Sequence, residues 1–263
     1  MILEGLDPQQ RAAVLQKEGP VLIVAGAGSG KTRVLTSRIA YTLSQGADPS
    51  RILALTFTKK AAGEMKERIA TMVGKYKANR LWMGTFHSVF IRFLREYASS
   101  LGYPSSFTIY DTSDSQNTIK RIVKGMGLDE KTYKPKDVLS RISNAKNNLV
   151  TVEAYKANNA AIQNDVRSKK PRIVDIYEAY QNVMKASGVM DFDDILVNMN
   201  LLLSFNKEAL KDIKSRFDYI LVDEYQDTNF AQFRIIQLLG ADHRNVCVVG
   251  DDSQSIYAFR GAK

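Results

Sequence analysis

The sequence predicts an α/β protein, a parallel sheet flanked by helices and interrupted by an inserted all-helical subdomain. Three observations carry this. Short β-branched apolar runs alternate with helix-forming stretches over residues 1–110; strand signals fade across 111–189; and the alternation resumes over 190–263. Strands that alternate with helices build βαβ units, which place their strands parallel in one sheet. The expected layout is therefore one domain from 1–110 and 190–263, with a second, helical one from 111–189.

Each element has its own signal. Val21, Leu22, Ile23 and Val24 form a short apolar run, followed by a glycine-rich turn and a helical stretch over Lys31–Ser44. A second strand is expected over 51–57, leading into Lys60, Ala61, Ala62 and the following helix formers up to Ile69. A third is expected over 81–85, with helix again over 88–97. Across 111–185, fourteen Lys and Arg stand against nine acids, so the helical insert is net basic. It is either a solvated helical face or a duplex-binding surface. The returning α/β pattern consists of a strand over Tyr219–Val222 that ends in acids, a helix over Phe230–Leu239 and a strand over 245–250. Asp191, Asp193 and Asp194 resemble a metal cluster but read as a helix start with carboxylates at the favourable end of its dipole. His243 reads as a surface loop residue.

The chain has 263 residues, with 37 Lys and Arg against 28 acids, so a polyanionic partner fits its formal charge of +9. The single cysteine, Cys247, lies in an apolar run and reads as a small buried hydrophobe. The N-terminal residues lack a signal-peptide pattern, and no apolar run approaches the roughly 20 residues that span a bilayer. A cytoplasmic protein with no membrane partner is the expectation.

The strongest chemical signal is Ala25-Gly26-Ala27-Gly28-Ser29-Gly30-Lys31-Thr32, after a strand and opening a helix. Glycines let the backbone wrap phosphates, and the helix N-terminus offers free N–H groups. In this P-loop NTPase pattern Ala27, Gly28, Ser29, Gly30, Lys31, Thr32 and Arg33 are the nucleotide-binding candidates. Lys31 reaches the β- and γ-phosphates and Thr32 ligates Mg²⁺. Ala25 stands where the strict pattern has glycine. Asp223 and Glu224 close the strand 219–222, which places Asp223 to hold Mg²⁺ and Glu224 to activate the attacking water. ATP and Mg²⁺ are the implied cofactors.

With these residues in view, the chain resembles the UvrD/PcrA/Rep group of superfamily 1 DNA helicases across essentially its whole length. Leu6-Asp7-Pro8-Gln9-Gln10-Arg11-Ala12-Ala13-Val14 is similar to the group's Q motif, which implies that Gln10 reads adenine. Thr56-Phe57-Thr58-Lys59-Lys60-Ala61-Ala62 and Gly84-Thr85-Phe86-His87-Ser88 resemble motifs that touch single-stranded DNA. They imply Phe57, Thr58, Lys59, Thr85 and His87 as DNA-binding residues, with Lys59 standing where relatives more often have asparagine. Val222-Asp223-Glu224-Tyr225-Gln226-Asp227-Thr228-Asn229 resembles the group's acid motif, and 191–196 the element after its inserted domain. The segment 250–262 resembles the coupling motif. It implies that Gln254 senses the γ-phosphate, that Tyr257 and Phe259 stack on bases, and that Arg260 lies beside them. Phe259 stands where relatives often have tryptophan, so weaker but retained stacking is expected.

Some alternatives stay open in the residues themselves. Phe57 is equally a core aromatic, His87 an isolated polar residue, Arg260 a surface charge, and Tyr257 with Phe259 one face of an ordinary strand. A nucleotide switch would keep the phosphate loop without Gln254, Tyr257 and Phe259, and an RNA motor would differ in 2′-hydroxyl contacts invisible here. The resemblance implies a RecA-like sheet, 3′-to-5′ movement on single-stranded DNA and its junctions with duplex, and a place in repair or replication in the bacterial cytosol or nucleoid. It also implies a second motor domain in the full-length chain. Nothing follows Lys263, so this chain alone is expected to bind Mg·ATP weakly, to hydrolyse it very slowly and not to unwind DNA.

Overall fold

A computed structural model describes residues 1–26, 28 and 30–251. The strands run in chain order as β1 (Val21–Val24), β2 (Ile52–Thr56), β3 (Trp82–Thr85), β4 (Thr108–Tyr110), β5 (Val189–Asp191), β6 (Tyr219–Val222) and β7 (Val246–Gly250). The chain folds as two compact units, one of residues 1–89, 206–228 and 233–263, the other of 90–205 and 229–232.

The first unit is built on a five-stranded sheet in the order β1-β7-β6-β2-β3, every neighbouring pair parallel. All five residues of β2 are buried, as its apolar run requires of a parallel strand covered on both faces. β1 lies at the sheet edge and alternates between half-buried and exposed. Leu35, Ile39 and Leu43 of the helix Lys31–Ser44 and Met65 and Ile69 of the helix Lys59–Val73 share a core with Ile52, Ala54, Leu221 and Val249. Cys247 is in that core, where burial raises its thiol to about 11, so it is a hydrophobe at neutral pH. Arg51 fastens the entrances of β2 and β6, its Nε and Nη2 donating to the two Asp218 carboxylate oxygens at 2.6 and 2.7 Å.

Gly240 closes the helix Phe230–Leu239 where it meets β7. A Cβ there would lie 2.5 Å from Val246 Cγ2 and 3.3 Å from the Ile236 carbonyl oxygen. Gly240→Ala is therefore expected to destabilise the protein by about 1–3 kcal/mol, the ordinary cost of overpacking. A urea midpoint equal to wild type would show that β7 gives way without cost.

In the second unit, helices Thr112–Gly125, Pro135–Asn147, Val152–Ala157, Asn159–Arg167 and Ile173–Ala186 follow one another. The parallel pair β4 and β5 flanks this run, with Ile109 opposite Met190. The core is Ile119, Val123, Val138, Ile142, Ile176 and Tyr180 with their neighbours. Lys146 is also buried, 2.9 Å from Asp191 Oδ2 and 2.8 Å from Asp194 Oδ1, and Tyr180 Oη donates to Asp191 at 2.7 Å. Asp191 and Asp194 cap each other across the helix start, each carboxylate accepting the other's backbone N–H at 2.8 and 3.0 Å. The capping expected from sequence is thus present, and the same carboxylates serve a buried ion cluster. Asp193 instead accepts from Ser143 Oγ at 2.5 Å.

Among the described residues no helix is long and apolar enough to cross a membrane. His243 is half-buried rather than a bare surface residue, its Nδ1 accepting the Asn245 N–H at 2.8 Å, because the tight turn into β7 folds its ring back.

Candidate nucleotide and nucleic-acid site

Parallel strands all point the same way, so the loops leaving their C-terminal ends lie side by side along one edge of the sheet. Register shows which ones meet. Val24 pairs with Gly250, Val222 with Val248, Leu55 with Val222, and Thr56 with Thr85. The glycine-rich loop, Asp251, the Asp223-Glu224 pair, Phe57 to Lys59 and Phe86 with His87 therefore leave adjacent strand ends in that order.

At the β1 end, Gly28 and Gly30 take left-handed backbone at φ 78° and 79°, which glycine adopts without strain. Gly30 is the N-cap of the helix Lys31–Ser44 and offers no side-chain cap, so the first N–H groups face the loop unclaimed by a side chain. Gln10 stands close by, with its Nε2 3.5 Å from where a Gly30 Cβ would be. Its helix, Pro8–Leu15, is fixed twice. Asp7 and Gln10 form a capping box, with Gln10 N donating to Asp7 at 2.8 Å and Asp7 N to Gln10 Oε1 at 3.0 Å. The buried Arg38 guanidinium donates to the carbonyls of Ala13 and Gln16 just beyond. Arg33 is exposed and its Nη2 donates to the Glu4 carbonyl at 2.8 Å, so it ties the N-terminal segment to the helix that follows the loop.

At the β6 end, Asp223 is buried, and its N–H donates to the Leu55 carbonyl of β2 at 3.0 Å. Burial raises its carboxyl above the usual range, the neighbouring Glu224 adds to this, and the Glu224 N–H and Lys31 oppose it. A desolvated carboxylate near a lysine and a hydroxyl-bearing helix start is a setting that a hard cation relieves. Glu224 is at φ 49° and ψ 45°, a left-handed conformation that a non-glycine residue holds only under constraint. Its carboxylate accepts from Gln226 Nε2 at 2.5 Å. Gln226 reaches on to Asp251, which pairs with Lys31. Sequence reading gave Gln226 and Asp251 no role, since only the parallel register brings residue 251 beside residue 31.

At the β2 and β3 ends, Thr58 caps the helix Lys59–Val73, its Oγ1 accepting the Ala61 N–H at 3.0 Å. Lys59 is exposed at its first position. Phe57 is half-buried, its ring 5.6 Å from that of Phe86, so it is both a packing residue and partly open. Thr85 Oγ1 accepts the Ser88 N–H at 3.1 Å, and His87 is half-buried in the first turn of the helix Phe86–Tyr97. Ala27, Ser29, Gln254, Tyr257, Phe259 and Arg260 lie outside the described residues.

The sequence profile of the UvrD/REP helicase N-terminal domain matches residues 6–263. ATP-dependent DNA helicase UvrD1 of Mycobacterium leprae is 43% identical over 273 residues, covering 99% of this chain and 35% of the relative. ATP-dependent DNA helicase PcrA of Staphylococcus epidermidis is 44% identical over 262 residues, again 99% of this chain and 35% of the relative. PcrA of Staphylococcus aureus is 43% identical over 263 residues. The chain thus spans about a third of the length of the curated relatives it matches. With an all-parallel sheet carrying a glycine-rich loop and an acid pair at its strand ends, and a profile match over residues 6–263, the chain belongs to the UvrD/REP helicase N-terminal domain family.

Proposed function

We propose that this chain is the ATP- and single-stranded-DNA-binding front part of an ATP-dependent 3′-to-5′ DNA helicase or translocase. One observation carries the proposal: along a single sheet edge, the loop for phosphates and the acid pair on β1, β7 and β6 run directly into the residues that leave β2 and β3, of which Thr58 and Lys59 are exposed and Phe57 and His87 half-buried. Residues 1–110 and 190–263 then form the motor domain and 111–189 an inserted basic helical subdomain that meets duplex at a junction. The relatives' names, ATP-dependent DNA helicase, support the same reading.

In this proposal Ala27, Gly28, Ser29, Gly30 and the free N–H groups of the helix Lys31–Ser44 cradle the phosphates, with Arg33 at their edge. Lys31 reaches the outer phosphates and Gln10 reads the adenine edge with its amide. Thr32 and Asp223 hold Mg²⁺, which supplies neutralisation of the phosphate oxygens when bound. Glu224, fixed by its backbone, orients the attacking water and accepts its proton, and Gln254 senses the γ-phosphate. Phe57, Thr58, Lys59, Thr85 and His87 meet the DNA strand, joined by Tyr257, Phe259 and Arg260, with aromatic stacking that tolerates any base. Repair or replication in the bacterial cytosol or nucleoid is the setting this implies.

Hydrolysis also needs the arginines that a second motor domain supplies, typically worth about 10³–10⁵ in rate. This 263-residue chain alone is therefore expected to bind Mg·ATP and single-stranded DNA weakly, to turn over very slowly and not to unwind duplex. The test is fluorescence anisotropy of a labelled oligothymidylate with unlabelled DNA or RNA as competitor, beside phosphate release. Preference for DNA with negligible turnover supports the reading. Stronger competition by RNA would turn it towards an RNA motor, and robust turnover by the chain alone would remove the need for a second domain.

A further inference from the structure

We infer that Asp251 is a built-in competitor of the nucleotide, a carboxylate that holds Lys31 in the place of phosphate and is tethered there by Gln226. The inference rests on the nucleotide-site reading above and concerns residues to which that reading gives no part.

Lys31 opens its helix directly after the glycine-rich loop, and its side chain is only 10% exposed, so its ammonium has given up most of its water. A desolvated ammonium needs an anion. Asp251 provides one, with its Oδ1 on Lys31 Nζ. This pairing is not incidental contact between mobile surface groups. Asp251 follows the last residue of β7, which pairs with Val24 at the end of β1, so the sheet brings Asp251 beside the start of the glycine-rich loop that leads to Lys31.

Gln226 holds Asp251 in this position. The Asp251 N–H donates to Gln226 Oε1 at 3.1 Å, and Gln226 Nε2 lies 3.5 Å from Asp251 Oδ2 and 2.5 Å from Glu224 Oε2. One amide thus spans the carboxylates of the β6 and β7 ends. A triphosphate that takes Lys31 must displace Asp251. The freed carboxylate then meets like charge from the phosphates, and its tether runs to the acid pair. Nucleotide arrival is in this way felt at the end of β7, the strand that leads into residues 252–263.

The test uses the whole 263-residue chain, a fluorescent ATP analogue with Mg²⁺, and labelling of Lys31 by an amine-acylating reagent read by mass spectrometry. Asp251→Asn should bind the analogue about two- to fivefold more tightly than wild type, the scale of a partly exposed ion pair. Its Lys31 should also label faster. Gln226→Ala should move both readouts the same way by less, since Asp251 keeps its charge but loses its tether. Unchanged or weaker binding in Asp251→Asn, while Lys31→Ala weakens binding at least about tenfold, would overturn the competitor and leave the phosphate-loop reading intact. If no variant binds nucleotide, the phosphate-loop reading itself falls. Lys31 labelling then decides the inference alone: equal rates in wild type and Asp251→Asn overturn it.

Discussion

Lys146→Met should destabilise this protein by about 3–5 kcal/mol, the scale of removing one partner from a buried ion cluster. Lys146 is 1% exposed and faces both Asp191 and Asp194 within 3 Å. Burial by itself would lower its ammonium, but the two carboxylates outweigh it and raise it. At Asp191 burial pulls upward, but the Lys146 charge together with the hydrogen bonds from Lys146, Tyr180 and the Asp194 N–H outweighs it, so its carboxyl is lowered; at Asp194 burial wins and the carboxyl is raised. Methionine fills the volume but leaves two desolvated carboxylates with no cation. Their folded-state pKa values then rise above the unfolded one, and such groups cost nothing below the unfolded pKa, near 3.9 for an aspartate. The penalty grows as pH climbs from there towards the raised folded values. The stability gap between variant and wild type should therefore be widest at neutral pH and shrink towards pH 4, in urea melts at several pH values. A gap that stays constant with pH would mean that the loss is one of packing alone.

The second large effect is on ligand binding. Lys31→Ala should weaken Mg·ATP binding by about 10- to 150-fold, the loss of a charge-assisted contact of roughly 1.5–3 kcal/mol. The fold should be unmoved, because Lys31 lies at the first turn of its helix, where the helix needs no lysine. Calorimetric titration beside a thermal melt separates the two. Undiminished affinity at an unchanged melting temperature would place the nucleotide elsewhere.

Much of this protein is legible in residue order. β1, β2, β3, β6 and β7 fall within a residue of the runs expected to form them; the signal is plainest at β2, because a strand covered on both faces has to be apolar throughout. The glycine-rich loop is legible for a different reason. Left-handed backbone at residues 28 and 30 demands glycine, and a helix must follow, so chemistry and local conformation are written in the same few letters. The acid pair is legible because it ends a strand.

Other features were not legible because they join residues far apart in the chain. The texture of the sequence placed a boundary near residue 110, whereas the second compact unit begins at residue 90, since Phe90, Phe93 and Leu94 are buried there and periodicity does not say against what. Asp191 and Asp194 announced a helix start; that they also hold Lys146, 45 residues before Asp191, could be known only once Pro135–Asn147 and the helix Phe192–Phe205 were packed. Likewise Arg33 stood among the loop residues, and its contact with the Glu4 carbonyl depends on how the N-terminal segment returns.

The sequence by itself determined the five strands of the first unit's sheet, the glycine-rich loop and the family, because each is encoded by neighbours in the chain. Which strand lies beside which was decided only by the tertiary structure. The order β1-β7-β6-β2-β3 puts residue 251 against residue 31 and residue 223 against residue 55, and these meetings define the site. Strand order is set by crossover handedness and by which helices cover which face, and both are properties of the packed whole.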